Sequence, residues 1–281
     1  MFTLPCLIPV IALTFADASF LPDSPPPPRA PSQSDLSLKG NTSFSLPSAP
    51  AQFDLSLKLD APLLGASAIM WGASILVARG HSGPVATGAG SGVWSVDRIA
   101  LGRTSASQAL GSDVIRDALL IGVPLGLTVA NWDGSSRSLL PAFLVGESIF
   151  ASFAINELTK SFVNRPRPYT YAQGIASGDG RRSFYSGHTT VAFAAVTSGA
   201  YLLHELYPDS SAPLWLGALG LLGAASVGVL RVTSGKHFPS DVAVGAAAGV
   251  GIGWAVPWLH KRRRNWGLTI GVNQIGVAGT F

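Results

Sequence analysis

Cysteine is almost missing from this chain of 281 residues, and the single Cys6 permits neither an intrachain disulfide nor a thiolate metal cluster. Charge is scarce as well. Asp, Glu, Lys and Arg make up 12% of the residues, about half the ~25% of ordinary soluble domains. Apolar residues reach 47% and the mean hydropathy is +0.37, which points to a membrane. The formal charge of +4 comes from basic residues gathered at a few places, not from a basic stripe interleaved with exposed aromatics, so nucleic acid is excluded as a partner. No Lys or Arg precedes the first apolar run, Leu7 to Phe15, and the positive start of a secretory signal is therefore lacking. Ala16-Asp17-Ala18 nevertheless has the small-residue form of a cleavage site. Residues 1–20 are read as a signal-like segment whose meaning is export, with cleavage left open.

Long polar periodic segments are also absent. Residues 21–60 are rich in Pro and Ser, including Pro25-Pro26-Pro27-Pro28, and read as a disordered or extended linker. After Asp60 come six apolar runs: Ala61 to Ala78, Ala118 to Trp132, Ser138 to Asn156, Thr189 to Leu203, Ala212 to Leu230 and Val242 to Leu259. At 1.5 Å per residue, runs of about 15 to 19 residues span about 22 to 28 Å, slightly short of a ~30 Å hydrocarbon core unless their ends extend into polar flanks. Gly and Ala recur in them, as in Gly245-Ala246-Ala247-Ala248-Gly249, and small residues let helices approach closely in lipid. The fold class expected is all-α, a six-helix membrane bundle over residues 61–260 with its active site at the helix ends. A large soluble all-α protein is the alternative reading of the same runs. Residues 261–281 combine the basic cluster Lys261-Arg262-Arg263-Arg264 with an alternating segment, Leu268 to Phe281, that reads as a short β-hairpin.

The polar residues with chemical potential lie at the ends of the third to sixth runs. Lys160 and Arg167, in Lys160-Ser-Phe-Val-Asn-Arg-Pro-Arg167-Pro168, offer a point charge and a planar fork suited to a tetrahedral anion. The same residues also read as a basic membrane flank. Ser186-Gly187-His188 opens the fourth run, where free backbone N–H groups and the helix dipole favour an anion and His188 can move a proton. Ser186 reads equally as an N-cap. Arg231 and His237 join the fifth and sixth runs, and Asp241 follows His237 by four residues, close enough to accept an imidazole N–H or to cap the next helix. Glu147, inside the third run, is a functional candidate by position alone and is left outside the site.

Together these clusters resemble the type 2 phosphatidic acid phosphatase and vanadium haloperoxidase superfamily. The family pattern is Lys, six residues, Arg-Pro; then Pro-Ser-Gly-His; then Ser-Arg, five residues, His, three residues, Asp. Lys160, Arg167, Ser186, His188, Arg231, His237 and Asp241 agree with it in order and spacing, while Tyr185 and Leu230 replace its proline and its serine. The resemblance implies that His237 is the nucleophile, that His188 protonates the leaving oxygen and that Asp241 orients His237. It further implies that Lys160, Arg167, Arg231, the Ser186 hydroxyl and the Gly187 N–H hold the phosphate. No metal and no cofactor is called for, because the basic residues would repel a cation at His188, His237 and Asp241.

The function expected is hydrolysis of a phosphate monoester or diphosphate of a membrane lipid, through a phosphohistidine, in a bacterial envelope. A vanadate-dependent haloperoxidase and a non-enzymatic phospholipid-headgroup binder are the alternatives, and oligomeric state is left unassigned. Lys261 to Arg264 place the end of the sixth run in the cytoplasm and the site toward the periplasm, whereas a cleaved signal would reverse this.

Overall fold

In the computed structural model the described residues are 53–80, 83–88, 90, 92–261, 266–271 and 274–279, the last two stretches as backbone alone. The signal-like segment and the linker up to residue 52, together with Arg262 to Arg264, lie outside them. All of the described residues fall in the compact unit Pro47–Phe281.

Among the described residues this unit has six α-helices: α1 (Leu57–Gly80), α2 (Ala106–Ala130), α3 (Leu140–Val163), α4 (Gly187–Leu206), α5 (Ala212–Thr233) and α6 (Pro239–Leu259). Each apolar run lies within or largely within a helix, and two helices extend well beyond their runs. Helix α2 starts at Ala106, twelve residues before its run, because Ser105 caps it by accepting the Gln108 N–H at 3.4 Å. Helix α3 continues past Asn156 to Val163 and ends on Asn164 in the left-handed conformation. These polar extensions turn out to reach the site.

Helix α4 is the hub, touching α2, α3, α5 and α6, while α1 packs on α3 with Trp71 edge-on to Phe150 and Phe153. The main core gathers Val123, Leu127, Leu144, Val145, Val196 and Leu202 from α2, α3 and α4. Along α6, Gly245, Gly249 and Gly253 repeat every fourth residue and lie against the backbone of α4. A Cβ at these positions would stand 2.7 Å from the Ser186 carbonyl oxygen, 2.8 Å from Phe193 Cβ and 2.9 Å from Ala194 Cα respectively. This close approach brings the N-terminal ends of α4 and α6 together.

Helices α1, α5, α6 and the segment Ser136–Ala172 containing α3 are long and apolar enough to cross a membrane. Six crossings were expected. The first half of α2 carries Asp113, Arg116 and Asp117, and α4 is made largely of small and hydroxylated residues enclosed by its neighbours. Two small antiparallel sheets complete the unit. Strands β1 (Val85–Ala86) and β2 (Ile175–Ala176) tie the α1–α2 connection to the α3–α4 connection. Strands β3 (Trp266–Gly271) and β4 (Gln274–Gly279) pair as the expected terminal hairpin, with Leu268 opposite Val277.

Candidate active site

The C-terminal ends of α3 and α5 and the N-terminal ends of α2, α4 and α6 meet at one end of the bundle, and all eight residues singled out by the sequence lie there. His237 sits in the short connection between α5 and α6 and is 1% exposed. That connection folds back on the end of α5: Lys236 and His237 both donate their N–H to the Arg231 carbonyl, and Gly235 takes φ 72°, where only glycine is at ease.

The His237 Nδ1–H donates to the Ser183 carbonyl at 2.7 Å, which leaves Nε2 with the lone pair. Burial, then the charges of Arg167, Arg231, Lys160 and His188, hold the His237 pKa well below its ordinary value. The imidazole is therefore neutral at physiological pH.

Asp241 does not make the hydrogen bond to His237 expected from their spacing, because its Oδ2 lies 3.8 Å from Nδ1. The reason is its place in the first turn of α6. There its carboxylate reaches back to the Phe238 N–H at 2.9 Å, and it also accepts the Ser183 hydroxyl at 2.5 Å and Arg165 Nη1 at 2.5 Å. The Asp241 carbonyl accepts the Ser186 N–H at 3.0 Å. Asp241 thus holds Ser183, and Ser183 holds His237.

Arg165 continues this frame. Its Nη2 donates to Asp97 at 2.7 Å, its Nη1 also donates to the Ser240 hydroxyl at 2.8 Å, and its guanidinium lies 4.2 Å over the Phe238 ring. Asp97 in turn accepts the Ser240 N–H and hydroxyl. Burial alone would raise the Asp97 pKa; those Ser240 bonds and the Arg165 charge outweigh it and leave the carboxyl below its ordinary value.

The cations surround this frame, each beside a carboxylate. Lys160 Nζ is 3.1 Å from Glu157, which also binds Arg182 at 2.8 Å. Arg167 donates to the Asp179 carbonyl at 2.9 Å, to its carboxylate at 2.8 Å and to the Lys236 carbonyl at 3.3 Å. Desolvation by its neighbours would raise the Asp179 pKa, although its side chain is 68% exposed, and the charges of Arg167, Lys160 and Lys236 bring it below its ordinary value instead. Arg231 Nη1 reaches Ser112 at 3.3 Å and Asp113 at 3.4 Å.

Ser186 is the N-cap residue of α4, with its hydroxyl 2.9 Å from that of Thr189. Gly187 follows in a space too narrow for a side chain, since a Cβ would lie 2.6 Å from Asn156 Oδ1 and 3.0 Å from Lys160 Nζ. The missing side chain of Gly187 thus lets Asn156 and Lys160 approach the first turn of α4 closely. His188 points toward α2, its Nε2 2.7 Å from Asp113, with the Arg116 guanidinium against the same nitrogen.

Sequence reasoning missed Asp97, Ser112, Asp113, Arg116 and Arg165 as parts of this site, and Ser183 as the residue whose carbonyl accepts the His237 N–H. Arg165 lies inside the segment Lys160 to Pro168, and Ser183 three residues before Ser186. The three residues of α2 precede the apolar run that marked that helix, and their only local signal was a polar face at helical spacing, Ser112-Asp113 and Arg116. Tyr185, in place of the motif's proline, is buried and receives Asn156 Nδ2 on its carbonyl at 2.8 Å. Leu230, in place of the motif's serine, faces α2, where a Cβ on Gly111 would touch it at 3.6 Å.

Residues 141–265 match the sequence model of the PAP2 superfamily. A stretch of 91 residues, 32% of this chain, is 33% identical to the lipid A 1-phosphatase of Porphyromonas gingivalis and spans 19% of that protein's length. The transmembrane PAP2 type phosphatidylglycerolphosphate phosphatase of Bacillus subtilis aligns with a TM-score of 0.44 at 19% identity, over 69% of this chain and 94% of that one. LpxE of Aquifex aeolicus aligns with a TM-score of 0.40 at 24% identity, over 57% of this chain and 90% of that one.

Proposed function

We propose that this chain, whose residues 141–265 belong to the PAP2 superfamily, is an integral membrane phosphatase that hydrolyses a phosphate monoester or diphosphate of a membrane lipid through a phosphohistidine at His237. The observation that carries this reading is the Ser183 carbonyl on His237 Nδ1–H at 2.7 Å, which aims an unprotonated Nε2 into a pocket charged by Lys160, Arg167 and Arg231. A neutral imidazole ringed by cations has little else to do than attack an anion.

In the first step the Nε2 lone pair forms a bond to phosphorus while the phosphorus–oxygen bond to the lipid breaks. The departing oxygen takes a proton from His188 Nε2. In the second step water attacks the phosphohistidine, the phosphorus–nitrogen bond breaks back onto His237, and His188 recovers a proton from the water. In the free site burial, against the pull of Asp113 at 2.7 Å and together with the charges of Arg231 and Arg116, lowers the His188 pKa to about 3, so the imidazolium that the first step needs forms when the phosphate dianion enters beside it. Lys160, Arg167, Arg231, the Ser186 hydroxyl and the Gly187 N–H stabilise charge on the equatorial oxygens, where one preorganised donor is worth about 3 to 4 kcal/mol.

Lipid as the substrate is supported by the four membrane-length helices and by a groove of about 450 Å³ between α1 and α3. Trp71, Ile75 and Ala78 form its apolar wall, and it ends at Arg79, Glu157 and Arg182, beside Lys160. An acyl or prenyl chain in this groove would leave its headgroup next to the cations. The site is at the N-terminal end of α6 and Lys261 follows its other end, so the positive-inside rule supports a pocket facing the periplasm of a bacterial envelope.

The test is phosphate release from vesicles carrying phosphatidic acid, phosphatidylglycerol phosphate, a polyprenyl diphosphate or lipid A, with wild type and His237→Ala. Turnover of at least one substrate, abolished by the substitution, is expected. Turnover that survives in His237→Ala would sink the mechanism.

A further inference from the structure

At the end of the bundle away from the phosphate pocket, three buried ionisable residues from three helices converge. Asp60 lies in the first turn of α1, Glu147 in the first half of α3 and His260 at the C-cap of α6. Their ligating atoms all lie within 4.8 Å of one another. Along α3, Glu147 precedes Lys160 by thirteen residues, roughly 20 Å at 1.5 Å per residue, so this cluster is separate from the site already described.

Each of two members has one atom fixed by the backbone and another turned inward. His260 Nδ1–H donates to the Val256 carbonyl at 2.7 Å, which fixes the tautomer and leaves Nε2 facing the carboxylates. Asp60 Oδ2 accepts the Ser56 N–H at 2.5 Å, while Oδ1 stands 2.8 Å from His260 Nε2. The Glu147 side chain is 1% exposed, and among the described residues neither of its oxygens has a hydrogen-bond partner; Oε2 stands 3.4 Å from His260 Nε2. A carboxylate enclosed in this way without donors is costly. His260 has a single free nitrogen and cannot hydrogen-bond both acids.

We propose that Asp60, Glu147 and His260 bind one divalent transition-metal ion, zinc by their donor set, as a structural clasp between α1, α3 and α6. Two carboxylates and a neutral imidazole carry a charge of −2 that a divalent cation cancels, and the ion supplies the partner Glu147 lacks. One nitrogen and two oxygens with an open fourth position suit zinc, which accepts mixed His and carboxylate ligands in tetrahedral geometry. With bonds of about 2.1 Å, tetrahedral ligands lie about 3.4 Å apart. Glu147 Oε2 and His260 Nε2 already have that separation at 3.4 Å, and Asp60 Oδ1 has only to draw back from 2.8 Å. The Val256 and Ser56 contacts are the outer bonds that orient metal-bound His and Asp side chains. The clasp also closes on a backbone seam, where Asp54 N–H donates to the His260 carbonyl at 3.3 Å and Phe53 bridges to Lys261. The clasp is independent of the phosphatase reading and takes no part in its chemistry.

The test uses the full chain without an affinity tag, purified in detergent, stripped with a chelator and titrated with zinc chloride. Calorimetry with wild type is expected to show one ion per chain, together with a rise in Tm of several degrees. Glu147→Gln, which keeps shape and removes charge, and His260→Gln should each weaken zinc binding at least tenfold and lose the Tm rise. A His188→Ala and His237→Ala double variant should bind zinc like wild type. The proposal is overturned if wild type takes up no stoichiometric zinc, if Glu147→Gln binds it unchanged, or if uptake disappears in the double variant instead.

Discussion

His237 is held by the backbone of Ser183, not by a side chain: Nδ1 lies 2.7 Å from the Ser183 carbonyl and 3.8 Å from the nearest oxygen of Asp241. The carboxylate acts one step away, through the Ser183 hydroxyl at 2.5 Å and the Phe238 N–H at 2.9 Å. The arrangement makes Asp241 and Arg165 the frame of His237, the proposed nucleophile.

Ser183→Ala should therefore be felt at His237 although the Ser183 hydroxyl donates to Asp241. It removes a charge-assisted hydrogen bond worth about 1.5 to 3 kcal/mol, and a comparable loss of orientation would lower kcat about 10- to 100-fold. Asp241→Asn should cost more, because it also weakens the Arg165 bond. Steady-state kinetics on the best lipid substrate checks both; a Ser183→Ala enzyme at the wild-type rate would show that Asp241 acts by another route.

The Asp97 to Arg165 pair makes stability depend on acid in a defined direction. The Asp97 carboxyl is below its ordinary 3.8 in the folded chain, so folding favours its ionised form. That contribution is complete above the unfolded pKa, near 3.9, and is lost as pH falls through the lower folded value. Thermal unfolding in detergent should show wild type more stable than Asp97→Asn by a constant margin above about pH 5, with the margin closing below about pH 4. A margin independent of pH would assign the effect to packing.

Asp113 places a negative oxygen between His188 and Arg231, at 2.7 and 3.4 Å, where a phosphate oxygen would compete with it. Asp113→Asn should tighten inhibition by inorganic phosphate several-fold and lower kcat about tenfold, the latter equal to about 1.4 kcal/mol of support lost by His188. Product-inhibition kinetics separates the two effects. Phosphate inhibition unchanged from wild type would place the phosphate elsewhere.

Gly249 and Gly251 offer a matched pair on α6. A methyl group at Gly249 meets Phe193 Cβ at 2.8 Å and the Ala194 nitrogen at 3.1 Å, whereas at Gly251 it meets nothing within 4 Å. Gly249→Ala should cost about 1 to 3 kcal/mol of stability and reduce activity, because α4 carries His188 and the first turn of α6 carries Asp241, which holds Ser183 and through it His237. Gly251→Ala should stay within about 0.5 kcal/mol of wild type. Thermal unfolding with a parallel activity assay decides it, and equal effects at the two positions would refute the close packing of α4 on α6.

Much of the helical class could be read from composition and run length, because an apolar run longer than a strand has one economical way to satisfy its backbone in lipid. The runs showed less about where helices begin. The first turns of α2, from Ala106, are polar because they line a site, and polarity there looks like a loop. Nor did apolarity identify α4 as the hub, since its small residues reveal their purpose only when Gly245, Gly249 and Gly253 are found against them.

What the sequence by itself determined are the local constellations: Lys160 with Arg167, Ser186 with Gly187 and His188, and Arg231 with His237 and Asp241. Each is carried on one helix end or one short connection, so chain spacing alone holds its members close. Only the tertiary structure decided which atoms meet across the bundle. Ser183 reaches His237 over 54 positions, Asp113 reaches His188 over 75, Arg165 reaches Asp97 over 68, and Asp60 reaches His260 over 200. Those pairings depend on the relative rotation and translation of packed helices. Side-chain volume and glycine contacts along their whole length set that register, and no local spacing encodes it.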